Sequence, residues 1–205
     1  MPTSRSDVLS VDLMVDEDHL WRFLRLLRRG FLVSTRLPCS LDRLLVEVLE
    51  IPETYATDRI QTIFLNGRAV DDIRAAKVTD GDRVALSAAM PGLVGATLRK
   101  GGKVANLRSS LSHQPYSTGI QAVLPGLVTV KLFNLVCAEL GPTFLKRGVV
   151  LSGGHFREFL ADSWAEMVPA CREVRIDQMI AACDTLPRAM PGAEAIHLSV
   201  AAPTP

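Results

Sequence analysis

Two glycine turns, placed between short apolar runs, most constrain what this chain can fold into. Asn66-Gly67 lies between the apolar runs 63–65 and 69–70, and Asn-Gly readily supplies the two positive φ angles of a two-residue hairpin turn. Asp80-Gly81-Asp82 precedes the alternating run 83–87, and its glycine lets a strand begin there without strain. The sequence therefore predicts a hairpin, a short crossover and a returning strand.

The residues before this hairpin carry clear start and stop signals. Residues 8–15 alternate in polarity and predict a strand. Apolar residues then recur at helical spacing until Gly30, which predicts a helix with a C-terminal glycine cap. A second strand is expected over 31–37, and Ser40 is expected to cap a helix over 41–49. That helix should pack across the sheet.

The helix 41–49, the Asn-Gly hairpin, the Asp-Gly-Asp turn and the strand that follows resemble the β-grasp (ubiquitin-like) fold of the MoaD/ThiS sulfur carriers. TGS domains share a similar hairpin and turn, so the motif does not choose between the two families. The sulfur carriers end in Gly-Gly, and the terminal carboxylate is adenylated and converted to a thiocarboxylate. Here Gly92 and Gly102 are internal, so this chemistry would need proteolytic cleavage.

The order of signals in the first half recurs in the second. Leu26-Leu27-Arg28-Arg29-Gly30-Phe31 matches Phe144-Leu145-Lys146-Arg147-Gly148-Val149, with Leu13 set against Leu132 and Leu44-Leu45 against Phe159-Leu160. The predicted fold class is α+β, with two tandem β-grasp units that each have a mixed sheet and a packed helix. The expected domains are residues 1–90, a basic connection at 91–126, and a degenerate second unit at 127–205. The second half has helical signals on either side of Gly141-Pro142, which predicts two helices there.

Composition narrows the function classes. The chain has 205 residues, 48% hydrophobic and 22% charged, with a net charge of +1, which gives no global attraction to nucleic acid or a membrane. No signal peptide and no apolar stretch of bilayer length is present, so a cytoplasmic protein without membrane contact is expected. The four cysteines form no C-x-x-C pair and the histidines show no metal-ligand spacing. We therefore expect reduced thiols, no metal and no cofactor.

A segment without acidic residues runs from Arg83 to Ala138. Positive charge there favours an anionic partner, and glycine amides can approach a phosphate. The candidate binding residues are Arg99, Lys100, Gly101, Gly102, Lys103 and Arg108. The competing interpretation is a solvated basic linker, because Tyr116 is the one aromatic residue between 91 and 126.

The sequence contains no convincing catalytic constellation. Ser152-Gly153-Gly154-His155 does not have the spacing of a nucleophile elbow, and it is expected to be a turn leading into a helix. No catalytic residue is assigned, and we expect that the protein is not an enzyme.

Three hypotheses about function follow from these observations. The first is a non-enzymatic β-grasp protein that works as a protein-interaction or scaffold module, with a link to sulfur-carrier or cofactor pathways and an exposed sheet face or edge as the contact. The alternative is an anion or nucleic-acid binder that uses the basic connection. The second alternative is a sulfur carrier activated when a protease exposes Gly-Gly. A protein partner is expected, a polyanion stays an open alternative, and the oligomeric state is left open.

Overall fold

The computed structural model describes residues 8–88, 122–190 and 192–203. These residues form an α+β structure with a mixed β-sheet, as the sequence predicts. The strands are β1 Val8–Val15, β2 Phe31–Leu37, β3 Cys39–Ser40, β4 Thr62–Leu65, β5 Arg68–Ala69, β6 Lys77–Val78, β7 Arg83–Ser87, β8 Leu124–Phe133, β9 Val149–Ser152, β10 Cys171–Ile176, β11 Met179–Ala181 and β12 Ala195–Ala201. The helices are α1 Leu20–Arg29, α2 Leu41–Arg43, which continues as a π-helical turn over Leu44–Val48, α3 Glu53–Asp58, α4 Asn134–Arg147 and α5 Gly153–Met167; short 3₁₀ helices cover Glu17–His19, Val168–Ala170 and Cys183–Ala189.

The chain divides into two compact units. The first unit consists of residues 1–32 and 138–205. Its strands follow the order β11-β10-β1-β12-β9, and the first residues of β2 pair with β9 through Leu32 and Val150. Strand β1 runs parallel to β12 and antiparallel to β10. Its central strand is therefore bounded on both sides by strands from the distant end of the sequence.

Helices α1 and α5 pack together in this unit. Phe23 of α1 and Phe159 of α5 are both buried, with ring centroids 5.1 Å apart. Three ion pairs at the rim also join the helices: Arg22 to Glu166 at 3.0 Å, Arg25 to Asp162 at 3.6 Å, and Arg29 to Glu158 at 2.6 Å. Because these side chains are partly exposed, the apolar contact contributes more to stability than the ion pairs do.

The second unit consists of residues 33–137. Its strand order is β2-β8-β7-β4-β5, with β3 and β6 as a separate two-stranded sheet. Strand β7 is antiparallel to β4 and parallel to β8. Leu41, Leu44 and Leu45 of the central helical segment are fully buried, as the apolar stripe predicts. The Ser40 hydroxyl accepts a hydrogen bond from the Arg43 amide at 3.2 Å and caps this helix.

Several local signals read from the sequence are confirmed. Gly30 ends α1 with a φ of 120°, a conformation that favours glycine. Asn66 and Gly67 both have positive φ, at 53° and 80°, and they join β4 to β5 as the Asn-Gly motif predicts. The strands over 8–15 and 31–37 have the predicted bounds.

The compact units do not follow the expected boundaries at 90 and 127. Residues 1–32 form a unit with residues 138–205, and 33–137 form the other. The matching hexapeptides, which we placed in separate domains, lie within one unit, where Phe31 and Phe144 have ring centroids 5.4 Å apart. The strand order does not divide the chain into two sequential units. Strand β1, from the first half of the chain, is hydrogen-bonded to β10 and β12, from the second half. A helix–glycine–strand signal is local, and it carries no information about which strand becomes the neighbour.

The helical segments expected on either side of Gly141-Pro142 form a single helix, α4. A Cβ atom on Gly141 would lie 2.4 Å from Cδ2 of Leu24, so the glycine allows a close approach of α1. Proline inside a helix removes one hydrogen bond and usually kinks or breaks it. Here the helix continues through Pro142 to Arg147. The prediction of a break was therefore wrong.

Candidate interaction edge

The turn residues that suggest the β-grasp resemblance hold the second unit together. The Asp82 carboxylate accepts hydrogen bonds from Asn66 Nδ2 at 2.7 Å and from the Thr79 amide at 2.7 Å. Asn66 Oδ1 accepts a hydrogen bond from the Arg83 amide at 2.9 Å. The Leu127 amide donates to Asp80 Oδ1 at 2.7 Å. These polar residues are therefore engaged in joining the two turns to the sheet rather than in facing a ligand.

A different feature, the hairpin of β10 and β11, carries the most exposed large apolar side chains of the described residues. Met179 and Ile180 on β11 are each 74% exposed. Strand β11 is the last strand in its sheet order, with β10 as its neighbour on one side. An edge strand presents unpaired backbone groups to any chain that can pair with it.

The turn of this hairpin is held firmly by β1. Asp177 and Gln178 have positive φ angles of 48° and 68°, which is the geometry of a type I′ turn. The Asp177 amide donates to the Ser10 carbonyl oxygen at 2.9 Å, and Asp177 Oδ1 accepts from the Ser10 amide at 3.0 Å. The hairpin is therefore fixed at its tip by two hydrogen bonds to the neighbouring strand.

The register of the hairpin decides which backbone groups face outward. Ile176 pairs with Met179, Arg175 with Ile180, and Val174 with Ala181. In a two-residue hairpin the pair beside the turn exchanges both backbone hydrogen bonds, and the next pair does not. The N–H and C=O of Ile180 therefore point to the free edge, with an exposed apolar side chain on the same residue.

The two arginines of β10 are each paired with an acidic side chain. Arg172 donates from Nε and Nη2 to the two oxygens of Asp16, at 2.7 and 2.8 Å. These hydrogen bonds lower the pKa of Asp16 and raise the pKa of Arg172. Arg175 Nε lies 2.6 Å from Glu173 Oε1. Because these charges are matched and β11 carries none, the edge favours a neutral, apolar partner strand.

One half-exposed face of the first unit carries polar side chains that could be mistaken for a catalytic group. Ser199 Oγ donates to Asp12 Oδ1 at 2.5 Å. His197 lies two residues before Ser199 on β12, on the same face of the strand. The His197 ring lies over Gly148, where an added Cβ would be 2.5 Å from Cε1. Ser199 is hydrogen-bonded to a carboxylate rather than to the imidazole. The arrangement therefore lacks the nucleophile–base contact of a hydrolase.

The binding candidates Arg99, Lys100, Gly101, Gly102, Lys103 and Arg108 lie outside the described residues, as does Gly92. Ser152 ends β9 and α5 begins at Gly153, so Gly153, Gly154 and His155 belong to the helix itself rather than to a turn before it. Among the residues that the structure describes, no group of His, Cys, Asp or Glu could hold a metal ion. None of the four cysteines, all of which lie among the described residues, is in a disulfide, and three of them are buried.

Sequence reasoning missed Met179 and Ile180. The signal was present in the short alternation around Asp177-Gln178, but these residues lack the glycine that marks most type I′ turns. A short run of apolar residues also usually indicates a buried strand. Their exposure depends on the place of β11 at the end of the sheet.

No protein-family model, no curated protein and no solved structure matches the chain. No helix among the described residues is long and apolar enough to cross a membrane.

Proposed function

We propose that this protein is a non-enzymatic interaction module that presents the β11 edge to an extended, apolar segment of a partner protein. The observation that carries the proposal is the exposure of Met179 and Ile180, 74% each, on the last strand of the sheet. Natural edge strands are commonly protected by lysine, proline or a covering element. β11 has the sequence Met-Ile-Ala and carries no such charge or proline. A partner strand would gain backbone hydrogen bonds at Ile180 and apolar contacts beside them.

The fold proposal that goes with this function concerns the second unit. In a β-grasp sheet the first and last strands lie parallel and adjacent, and each has an antiparallel partner outside it. The parallel pair β7 and β8, with β4 beside β7 and β2 beside β8, supports a β-grasp arrangement. Here the strand in the first position, β8, comes last in the chain, so we infer a circularly permuted β-grasp unit. Membership of the MoaD/ThiS family and a link to sulfur-carrier pathways rest on this likeness and on the turn motifs.

The other hypotheses remain predictions. Polyanion binding would use residues 99–108, and sulfur transfer would use Gly92 or Gly102 after cleavage. A cytoplasmic location likewise rests on the sequence. Neither alternative involves β11, which makes them separable from the proposed function by experiment.

The test compares Ile180→Lys with Leu135→Lys. Both substitutions place a charge at an exposed apolar position, since Leu135 is 52% exposed on α4, but only the first is on the edge strand. We expect partner proteins captured from the native host to be lost with Ile180→Lys and retained with Leu135→Lys, because a charge on an edge strand opposes pairing. The captured partner should also slow hydrogen exchange of the amides of residues 178–182, which is measured by mass spectrometry.

Equal capture by the two variants would show that β11 is not the contact. Retention of RNA or DNA that declines steeply with salt would instead favour the polyanion hypothesis. A shortened species ending at Gly102 with a thiocarboxylate would favour the sulfur-carrier hypothesis.

A further inference from the structure

Two cysteines lie at the open end of the hairpin that carries the proposed edge. Cys171 begins β10, and Cys183 begins the 3₁₀ helix that follows β11. Val174 and Ala181 are the last paired residues of the hairpin, and Cys171 lies three residues before Val174 while Cys183 lies two residues after Ala181. The Cys183 thiol donates to the Cys171 carbonyl oxygen at an Sγ–O distance of 3.6 Å. This contact and the side-chain hydrogen bond between the two thiols place the two cysteine side chains beside each other.

The two thiols differ in environment. Cys171 is 9% exposed and its thiol points to the Glu173 carbonyl oxygen at 3.7 Å, whereas Cys183 is more exposed. Burial and, after it, a side-chain hydrogen bond with Cys183 raise the pKa of Cys171 to about 12. Cys171 is therefore protonated at neutral pH, and Cys183 is the thiol that a reagent in solution can reach. Trp164 Nε1 donates to the Cys183 carbonyl oxygen at 2.8 Å and holds this residue in place.

We propose that Cys171 and Cys183 form an intramolecular disulfide by exchange with a low-molecular-weight disulfide. The Cys183 thiolate attacks one sulfur of the reagent, a mixed disulfide forms, and one thiolate leaves. Cys171 then loses its proton and attacks the Cys183 sulfur, which releases the second thiolate. The protons from the two cysteines protonate the two released thiolates. Two protein thiols are thus oxidised to a disulfide while the reagent is reduced to two thiols.

The bond closes a loop that contains the whole of β11. Residues between Cys171 and Cys183 include the edge residues Met179 and Ile180, so the cross-link ties the base of the hairpin while Asp177 holds its tip to Ser10. A cross-link restricts the open conformations of the enclosed chain. Oxidation therefore orders the edge for pairing, and a preordered edge binds its partner more tightly. The exchange chemistry stands by itself, whereas this effect on partner binding rests on the proposed function.

The first measurement uses the full chain and oxidised glutathione. After incubation, acid quenching and alkylation in denaturant, two of the four cysteines should be protected, and peptide mapping should join Cys171 to Cys183. Cys39→Ser and Cys137→Ser should leave this cross-link intact. Cys171→Ser should instead trap glutathione on Cys183. Closure of the wild-type mixed disulfide should accelerate about tenfold per pH unit while the pH stays below the pKa of Cys171.

Four alkylated cysteines at exchange equilibrium, a lasting glutathione adduct on wild-type Cys183, or a cross-link to Cys39 or Cys137 would each overturn the disulfide. The second measurement is hydrogen exchange of residues 178–182, which the disulfide should slow by about tenfold or more. If the disulfide forms without slowing this exchange, the claim that it orders the edge strand is wrong, although the claim that the two cysteines form a disulfide holds. Loss of partner capture with Ile180→Lys tests the proposed function separately, in reduced protein.

Discussion

At the scale of single residues, Asp82 connects three parts of the second unit. Its two carboxylate oxygens accept from Asn66 Nδ2, from the Thr79 amide and from the Thr79 hydroxyl, the last at 3.1 Å. Its carbonyl oxygen accepts from the Thr129 amide at 2.9 Å. One residue thereby links the hairpin, the turn before β7 and the middle of β8. The sequence motif is explained by this network.

We expect Asp82→Ala to destabilise the protein by about 1–3 kcal/mol, because donors on Asn66 and Thr79 lose their acceptor. Chemical denaturation followed by circular dichroism measures the free energy of unfolding. Asp58→Ala is the matched control: Asp58 is an exposed acid at the end of α3, and its loss should change stability by less than about 0.5 kcal/mol. Equal effects of the two substitutions would contradict the role assigned to Asp82.

At the scale of elements, the start of α5 depends on one of two adjacent glycines. A Cβ on Gly153 would lie 1.9 Å from the Ala193 carbonyl oxygen, whereas a Cβ on Gly154 would have Ser152 Oγ at 3.6 Å as its nearest neighbour. The Gly153 amide also donates to the Glu194 carbonyl oxygen at 2.8 Å. The backbone before β12 therefore packs directly on the first residue of the helix.

Gly153→Ala should lower stability by about 1–3 kcal/mol, since a backbone oxygen must move to admit the methyl group. Gly154→Ala should raise stability by about 0.4–1 kcal/mol, because alanine is the better helix former and space is present. Thermal unfolding of the two variants beside the wild type measures both effects. A stabilising Gly153→Ala substitution would contradict the close approach to Ala193.

At the scale of the whole molecule, the two units differ in whether their strands come from one continuous stretch of the chain. Strand β1 has β10 and β12 as neighbours, and both are supplied from beyond residue 170. The second unit draws its sheet from residues 33–137. In the first unit, strands that are neighbours in the sheet are therefore far apart in the sequence.

We expect a fragment of residues 33–137 to unfold cooperatively and a fragment of residues 1–90 to lack a cooperative transition. The first keeps its sheet neighbours, whereas the second leaves the buried side chains of β1, such as Val11 and Val15, without strands beside them. Guanidinium titration followed by fluorescence and circular dichroism distinguishes these outcomes. Cooperative folding of 1–90 would restore the sequential domain boundary expected from the sequence.

Much of the local structure could be predicted from the sequence, but little of the proposed contact could. The cap at Ser40, the turn at Asn66-Gly67 and the glycine that ends α1 depend on φ angles and hydrogen bonds among residues a few positions apart. Such preferences are set by sterics within a short window of chain. The α+β class follows from them. The edge at Met179 and Ile180 was not predicted, and the predicted basic residues lie outside the part of the chain that the structure describes.

The sequence by itself determined several element ends, such as those at Gly30 and Ser40, and the tertiary structure decided which elements became neighbours. Gly30 and Gly148 both end helices with positive φ, as their matching hexapeptides predict, yet both belong to one unit. Strand pairing joins residues far apart in the chain, and it is selected by the burial of whole faces rather than by any local motif. For the same reason no local motif marks Met179 and Ile180 as exposed. Only the position of β11 at the end of the sheet leaves them exposed.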